Sequence, residues 1–120
     1  MPVRAKSIYE EATPDDGVRI LTTNYWPRGV SKERAGTYIR ALAPTRELLH
    51  AFKDGEIGWP EYEKRYLAEM EGDRQREEIA RIAGLAQTET VTVMCMCKDE
   101  RMCHRSLLRT LIEQEMERTA

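Results

Sequence analysis

The fold is decided by one stretch near the C-terminus, residues 91–105, which reads VTVMCMCKDERMCHR. Its first part, residues 91–97, is apolar on both alternating faces, a pattern typical of a strand buried on both sides in a parallel sheet. Residues 98–102, KDERM, of which the first four are charged, predict a loop, and a helix is expected from about Met102 to Glu117. The apolar stripe of that helix comprises Leu107, Leu108, Leu111, Ile112 and Met116. The stretch therefore predicts a strand–loop–helix unit.

The rest of the chain predicts the remaining elements of an α/β domain. Strands are expected at residues 3–9 and 18–26, and helices at about 32–42, 45–53, from residue 60 onward, and 74–86. Together these predict a small, mostly parallel sheet of about three strands, flanked by about five helices in Rossmann-like layers. Because no repeat or linker interrupts the pattern, we expect one domain over residues 1–120.

Composition narrows the functional class. The formal net charge is −2, and 33% of the residues are charged. A protein dedicated to coating DNA is usually clearly basic, so the net charge does not indicate nucleic acid as a partner, although a local basic patch remains an alternative. Since no apolar run reaches the 18 or so residues needed to cross a bilayer, and the N-terminus has no signal-peptide core, we expect a cytoplasmic protein without a membrane partner. The oligomeric state is left open.

The cysteines cluster near the C-terminus: Cys95, Cys97 and Cys103. An odd number without a secretory signal argues against a disulfide framework. The three residues are therefore read as reactive thiols, metal ligands or ordinary buried side chains, and plain burial is the favoured interpretation for Cys95 and Cys97.

The junction between the predicted last strand and last helix has the chemistry of an anion or thiol site. Ligands gather at the carboxyl ends of strands in α/β proteins, and free N–H groups at helix N-termini favour anions and thiolates. We therefore interpret Cys103 as a nucleophile, His104 as an acid or base, and Arg105 and Lys98 as anion contacts. The alternative is that His104 and Arg105 are simply solvated.

A second candidate segment, residues 25–32, follows the predicted second strand and begins YWPRG. Arg28 and Lys32 are suited to holding an anion, and Trp26 to stacking on a planar group. The alternative, of equal weight, is a turn that ends the strand and places Trp26 in the core. The remaining aromatic group is expected in the core: Trp59, Tyr62 and Tyr66.

A metal site is a further alternative, since Cys95, Cys97, Cys103 and His104 supply four suitable donors. Structural zinc sites usually pair ligands two to four residues apart in two separate knuckles. Here the first pair is separated by one residue and the second pair is adjacent. The spacing alone therefore predicts no metal, and no cofactor is expected.

The order of several motifs resembles the family called Domain of Unknown Function 488, over most of the chain. The matching residues are Trp26-Pro27-Arg28-Gly29, Ser31-Lys32, Ala43-Pro44, Phe52, Trp59, Tyr62, Tyr66-Leu67, Lys98-Asp99 and Cys103-His104-Arg105. The resemblance implies a compact α/β domain, found in bacteria and archaea, with no established activity. It supports the fold and the choice of site and leaves the reaction open.

The chain departs from that family pattern at two places. Thr23-Asn24 stands where family members often carry Asp-Arg, which removes a charged pair from the candidate site. Asp99-Glu100 stands where a branch with Cys-His-Arg often carries Asp-Pro. A helix can still begin there, because aspartate is a good N-cap and glutamate suits a first turn.

Three hypotheses follow. The first is an enzyme that acts on an anionic small molecule or nucleotide-like ligand through Cys103 and His104, and an acid–base partner within hydrogen-bond reach of Cys103 would favour it. The second is a binding module for a ligand or nucleic acid, which a basic surface around an exposed Trp26 would favour. The third is an assembly protein, which a large exposed apolar patch would favour.

Overall fold

The computed structural model describes residues 3–96 and 103–119. Within these residues the strands are β1 (Val3–Ser7), β2 (Val18–Leu21), β3 (Thr37–Tyr38) and β4 (Val91–Cys95). The α-helices are α1 (Lys32–Ala35), α2 (Arg46–Lys53), α3 (Trp59–Glu69), α4 (Asp73–Ala86) and α5 (His104–Thr119). The predicted α/β class is confirmed, with four strands where about three were expected.

The sheet has the order β1-β4-β2-β3, and all its strand pairs are parallel. β4 lies between β1 and β2, and each of its residues from Val91 to Cys95 is buried. The prediction that this apolar run forms a strand buried on both sides in a parallel sheet is therefore confirmed. Cys97, at the end of the predicted strand, lies outside the described residues.

The two faces of β4 meet different neighbours. Val91 and Val93 belong to the main core, together with buried side chains of α3, α4 and α5. Met94 packs on the opposite face in a smaller cluster with Ile8 and Leu21. Because side chains alternate along a strand, Cys95 shares the face of Val91 and Val93, beneath the three longest helices.

The helix predictions after residue 44 are confirmed. Thr45 caps α2 by accepting a hydrogen bond from the Leu48 N–H (3.3 Å), so this helix begins directly after Pro44. The predicted stripe of α4 is buried: Ile79, Ile82, Ala83 and Ala86. On α5, Leu108 and Ile112 are fully buried against the sheet.

Within the part of the chain that the structure describes, no helix combines the length and apolarity needed to cross a bilayer.

The predicted helix over residues 32–42 is wrong, because α1 ends at Ala35. Gly36 follows with φ of 69°, in the left-handed region, and any β-carbon there would collide with the Arg19 carbonyl of β2. This close approach turns the chain alongside β2, where it forms β3 and the Ile39 N–H donates to the Leu21 carbonyl across 2.9 Å.

The second strand is also shorter than predicted and ends at Leu21, not Trp26. Thr22 still donates its N–H to the Met94 carbonyl across 2.9 Å. The Thr23 hydroxyl then donates to the Tyr25 carbonyl across 2.6 Å. This local side-chain bond replaces the strand ladder and turns the chain away from the sheet.

A buried charge cluster lies near the start of β2, on the face opposite the main core. Asp16 is fully buried and accepts hydrogen bonds from Lys6 Nζ (3.0 Å), from the Thr13 N–H (3.1 Å) and from Arg19. The Asp16 carbonyl accepts a further bond from the Thr92 hydroxyl, 2.7 Å away. We term Asp16, Lys6, Thr13 and Arg19 the aspartate cluster. In the sequence, Thr13 and Asp16 lie only in the connection between the predicted strands at residues 3–9 and 18–26.

Candidate functional site

The candidate site lies at the carboxyl edge of the sheet, on the face that the three longest helices cover. Cys95 ends β4 there, and its register partner in β1 is Ser7. Thr22 follows β2 on the other side, one position beyond the paired residues Leu21 and Met94. The edge therefore presents a buried thiol between two buried hydroxyl side chains.

The start of α5 closes over Cys95. The carbonyl of Cys103 accepts a hydrogen bond from the Ser106 N–H (3.2 Å), which places Cys103 directly before the first helical turn. Cys103, His104 and Arg105 are all buried, each at most 4% exposed. The interpretation in which His104 and Arg105 are merely solvated is therefore wrong. We term Cys95, Cys103, His104 and Arg105 the thiol cluster.

The backbone fixes the orientation of the His104 ring. Its Nε2 atom lies 2.7 Å from the Thr22 carbonyl oxygen and 3.1 Å from the Thr22 hydroxyl oxygen. Because a carbonyl oxygen only accepts, Nε2 carries the hydrogen, and in the neutral ring Nδ1 is then the acceptor. That Nδ1 atom faces the Cys103 sulfur at 3.9 Å. The separation is at the long end of the range for a hydrogen bond to sulfur.

Arg105 brings a positive charge into the cluster. Its Nη1 atom donates to the sulfur of Cys95 across 3.5 Å. A guanidinium is always protonated in proteins, so Arg105 favours negative charge at or beside that sulfur. The interpretation of Arg105 as an anion contact stays a prediction. The structure shows that its guanidinium lies beside the Cys95 sulfur.

Tyr66 of α3 forms a wall of the site. Its ring packs on the His104 ring with centroids 5.5 Å apart, and its hydroxyl donates to the Leu42 carbonyl across 2.8 Å. Burial raises the pKa of Tyr66 well above its ordinary value, and the acidic groups around it, Cys103 and Cys95 among them, add to the rise. The phenol therefore stays protonated at neutral pH, where it donates a hydrogen bond and cannot act as a base.

Sequence reasoning missed three contributors to this arrangement. Plain burial was favoured over a ligand role for Cys95, and Tyr66 was expected in the core. Both are buried, yet Cys95 accepts from Arg105 and Tyr66 packs on His104. Thr22 carries no motif at all. Its contact with His104 depends on strand register and on the position of α5, so it is seen only in the folded structure.

The second candidate segment lies at the surface. Trp26 is 44% exposed, which excludes the alternative that it sits in the core. Its indole N–H donates to the Val30 carbonyl (2.9 Å), and its ring meets Tyr38 edge-on at a centroid distance of 5.5 Å. Arg28 and Lys32 are exposed, whereas the four residues of the thiol cluster are buried. Lys98, the remaining predicted ligand contact, lies outside the described residues.

The thiol cluster also contains donors for a metal ion. One ligand atom from each of Cys95, Cys103 and His104 lies within 4.8 Å of the other two. Cys97, the fourth donor considered from the sequence, lies outside the described residues. These three residues were among the four donors that the sequence offered. Their spacing along the chain could not show that they meet, because one donor comes from a strand end and two come from a helix start.

A separate groove of about 980 Å³ lies between α3, α4 and α5. Its lining includes the apolar side chains Leu67, Met70, Leu107 and Leu111 together with several charged ones. No residue of the thiol cluster lines it. The groove is therefore distinct from the candidate site.

Comparison with known proteins assigns the family. The uncharacterised protein YeaO of Escherichia coli (strain K12) is 28% identical over 110 residues, which cover 90% of this chain and 94% of that protein. The uncharacterised protein Rv3073c of Mycobacterium tuberculosis (strain H37Rv) is 30% identical over 92 residues, covering 75% and 78% of the two chains. No solved structure gives a significant match. The family model DUF488-N3a, described as "Active DUF488-N3 subclade", matches residues 3–116. In agreement with the resemblance noted from its motifs, the chain belongs to the DUF488-N3a family.

Proposed function

We propose that this protein is an enzyme that attacks an anionic, nucleotide-like substrate with the thiol of Cys103. One observation carries the proposal: the Cys103 sulfur faces His104 Nδ1 at 3.9 Å while the Thr22 carbonyl holds Nε2. A nucleophile, a base beside it and a third group that orients the base is the general arrangement of enzymes with an activated nucleophile.

In the proposed reaction, Cys103 is the nucleophile, His104 transfers the proton, and Thr22 orients the imidazole. The Cys103 thiol gives its proton to His104 Nδ1 as the sulfur bonds to an electrophilic atom of the substrate. The bond from that atom to the leaving group breaks, and the leaving group takes the proton from the imidazole. Water then cleaves the covalent intermediate and restores the thiol. Thr22 keeps the ring in the tautomer that can accept the proton.

Two features support an anionic, nucleotide-like substrate. Arg105 places a buried positive charge within the cluster, and a charge of that kind favours a negatively charged group of a ligand. Trp26, four residues beyond Thr22, is exposed and suited to stacking on a base, with the exposed cations Arg28 and Lys32 in the same segment. The description of the family model as active also favours an enzyme over a passive binder.

The alkylation rate of Cys103 tests the nucleophile. Metal-free, reduced protein is treated with iodoacetamide at neutral pH, and each cysteine is read by mass spectrometry. Cys95 and Cys103 are each 1% exposed, so a difference between their alkylation rates does not arise from a difference in burial. We expect Cys103 to react faster than Cys95, and His104→Gln to slow Cys103 by at least about ten-fold, because general bases contribute factors of this size or more.

His50, on the exposed side of α2, supplies the matched control. His50→Gln should leave the alkylation rate of Cys103 unchanged. Equal rates for Cys103 in the wild type and in a folded His104→Gln variant would exclude base activation. If that variant does not fold, the comparison of Cys103 with Cys95 in the wild type decides, and a faster Cys95 contradicts the proposal.

The substrate class is tested by titrating a Trp59→Phe protein with an adenine mononucleotide and following Trp26 fluorescence. Arg28→Ala should weaken binding by about ten-fold, the effect of one lost charged hydrogen bond. Lys53→Ala, an exposed change at the end of α2, is the control. Equal responses to inorganic phosphate and to the nucleotide would contradict recognition of a base.

A second candidate function is a single-stranded nucleic-acid-binding module. The observation that favours it is the exposed aromatic surface: Tyr25, Trp26 and Tyr38 are 38%, 44% and 36% exposed, and the Arg46 guanidinium lies over the Tyr25 ring at 5.1 Å. Sequence-tolerant binding of single strands uses such aromatic and cationic groups. Salt-dependent binding of an oligonucleotide that Trp26→Ala weakens, together with a Cys103 rate indifferent to His104, would make this function the better one.

A further inference from the structure

Three donor atoms of the kind that zinc prefers converge in the thiol cluster. Cys95, Cys103 and His104 each place one ligand atom within 4.8 Å of the other two, and all three residues are buried. Among the described residues, this is the only group of three or more cysteine, histidine or acidic side chains so arranged. Thiolate sulfur and imidazole nitrogen together favour Zn²⁺ over the hard cations Mg²⁺ and Ca²⁺.

The His104 ring is already set as a metal ligand would be. Metal-binding histidines almost always donate their other ring N–H to a carbonyl or carboxylate, which fixes the tautomer. Here Nε2 donates to the Thr22 carbonyl at 2.7 Å, and Nδ1 faces the Cys103 sulfur. The supporting contact that a metal site requires is therefore present in the chain itself.

The distances require only a small contraction. Zinc–sulfur bonds of about 2.3 Å and zinc–nitrogen bonds of about 2.0 Å place tetrahedral ligand atoms about 3.5–3.8 Å apart. The Cys103 sulfur lies 3.9 Å from His104 Nδ1, and no pair in the group exceeds 4.8 Å. Side-chain rotations that shorten the widest separation by about 1 Å would complete the geometry.

We propose that Cys95, Cys103 and His104 form a binding site for a thiophilic divalent cation such as Zn²⁺. Each thiol releases one proton on binding, so the two thiolates balance the charge of the ion. Arg105 donates to the coordinating sulfur of Cys95, an outer contact of the kind that orients metal ligands. Three protein ligands leave the fourth tetrahedral position to water or to another donor.

This site goes beyond the proposed function, because the ion and an electrophilic substrate compete for the same sulfur. With the ion bound, Cys103 is a ligand and its nucleophilicity is masked. Without the ion, it is available to His104. The protein would therefore exist in a metal-bound form and a reactive thiol form, and the two can be measured separately.

Absorption spectra of the Co²⁺-bound protein test the proposed metal site. Reduced, chelator-treated protein is titrated with Co²⁺, and we expect a near-ultraviolet thiolate-to-cobalt charge-transfer band, intense visible bands of tetrahedral cobalt, and saturation at one ion per chain. Zn²⁺ should bleach these bands. Cys95→Ser, Cys103→Ser and His104→Gln should each weaken binding by at least about ten-fold, whereas His50→Gln should not.

Several results would overturn the site. These are the absence of a charge-transfer band, a cobalt affinity that Cys95→Ser leaves unchanged, or equal losses in His50→Gln and His104→Gln. Loss of the ion in Cys97→Ser would overturn the three-ligand set. If the ligand variants do not fold, wild-type protein decides: Zn²⁺ but not Mg²⁺ should protect both Cys95 and Cys103 from iodoacetamide. Because the nucleophile is assayed without metal and the site by cobalt absorption, failure of one proposal is distinguishable from failure of the other.

Discussion

The aspartate cluster and the thiol cluster are both buried and polar, yet they are built from different chemistry. In the first, a carboxylate accepts from Lys6, Arg19 and the backbone of Thr13, near the amino end of β2. In the second, sulfur atoms and an imidazole meet at the carboxyl end of the sheet. The aspartate cluster pairs a carboxylate with two cations, whereas the thiol cluster brings two thiols and an imidazole together.

The two clusters differ in what the loss of a polar side chain does to the folded state. A buried carboxylate surrounded by cations is part of the folded state, because removal of one partner leaves the other charges buried and uncompensated. A thiol is small and nearly apolar, so its removal leaves no buried charge without a partner and only a small cavity. We therefore expect the aspartate cluster to govern stability and the thiol cluster to govern reactivity.

The largest expected effect is on the aspartate cluster. Asp16→Ala should lower the free energy of unfolding by about 3–5 kcal/mol, since it leaves Lys6 and Arg19 without their buried counterion. Urea unfolding followed by circular dichroism measures this. Asp15→Ala, at the exposed neighbouring position, should change stability by less than about 0.5 kcal/mol. A loss below about 1 kcal/mol in Asp16→Ala would show that the cations are solvated once freed.

The next effect concerns the packing that holds the thiol cluster in place. Leu108 of α5 is fully buried in the main core, and Leu108→Ala should cost about 2–4 kcal/mol through lost transfer energy and the cavity left behind. Leu67→Ala, at a position 37% exposed on α3, is the matched control and should cost much less. A change in urea unfolding under about 0.5 kcal/mol in Leu108→Ala would refute the burial.

A smaller effect is expected within the thiol cluster. Cys103→Ala removes one heavy atom from a buried position, comparable to the loss of one methyl group, and should cost about 1 kcal/mol. The measurement is urea unfolding with chelator and reductant present, so that no bound metal adds to stability. A loss as large as that of Asp16→Ala would mean that the thiol cluster, like the aspartate cluster, governs the stability of the fold.

The outline of the fold could be predicted because its elements have strong local patterns. The run from Val91 to Cys95 is apolar on both faces, and the stripes of α4 and α5 have clear helical spacing. The helix predicted over residues 32–42 was wrong because a tertiary contact overrode local propensity. Gly36 lies against the Arg19 carbonyl and redirects the chain into β3.

The candidate site could be predicted only in part. Cys103, His104 and Arg105 were identified because they follow the last strand, where the chemistry of α/β proteins concentrates. Cys95 and Thr22 could not be assigned in the same way. Their contacts depend on parallel register and on the docking of α5, and neither is encoded in the spacing of residues along the chain.

The smallest expected effect is the dependence of stability on pH, and it arises from Asp16. Burial alone would raise the pKa of this carboxyl, but hydrogen bonds from Thr13 and the charge and hydrogen bond of Lys6 outweigh it, so the pKa of Asp16 lies below its ordinary value of 3.8. A carboxyl whose pKa is lower in the folded state stabilises the fold above its unfolded pKa. That stabilisation is lost as pH falls through the folded pKa.

Comparison of the wild type with Asp16→Asn isolates this effect, because the other carboxyl groups titrate in both proteins. Near neutral pH the wild type should be the more stable by a constant amount. Below pH 3.8 the difference between the two unfolding free energies should narrow as Asp16 gains a proton and its attraction to Lys6 and Arg19 weakens. Asp15→Asn, whose side chain is exposed, should run parallel to the wild type at every pH. A difference that stays constant into strong acid would mean that shape and hydrogen bonding, and not the charge of Asp16, hold the aspartate cluster together.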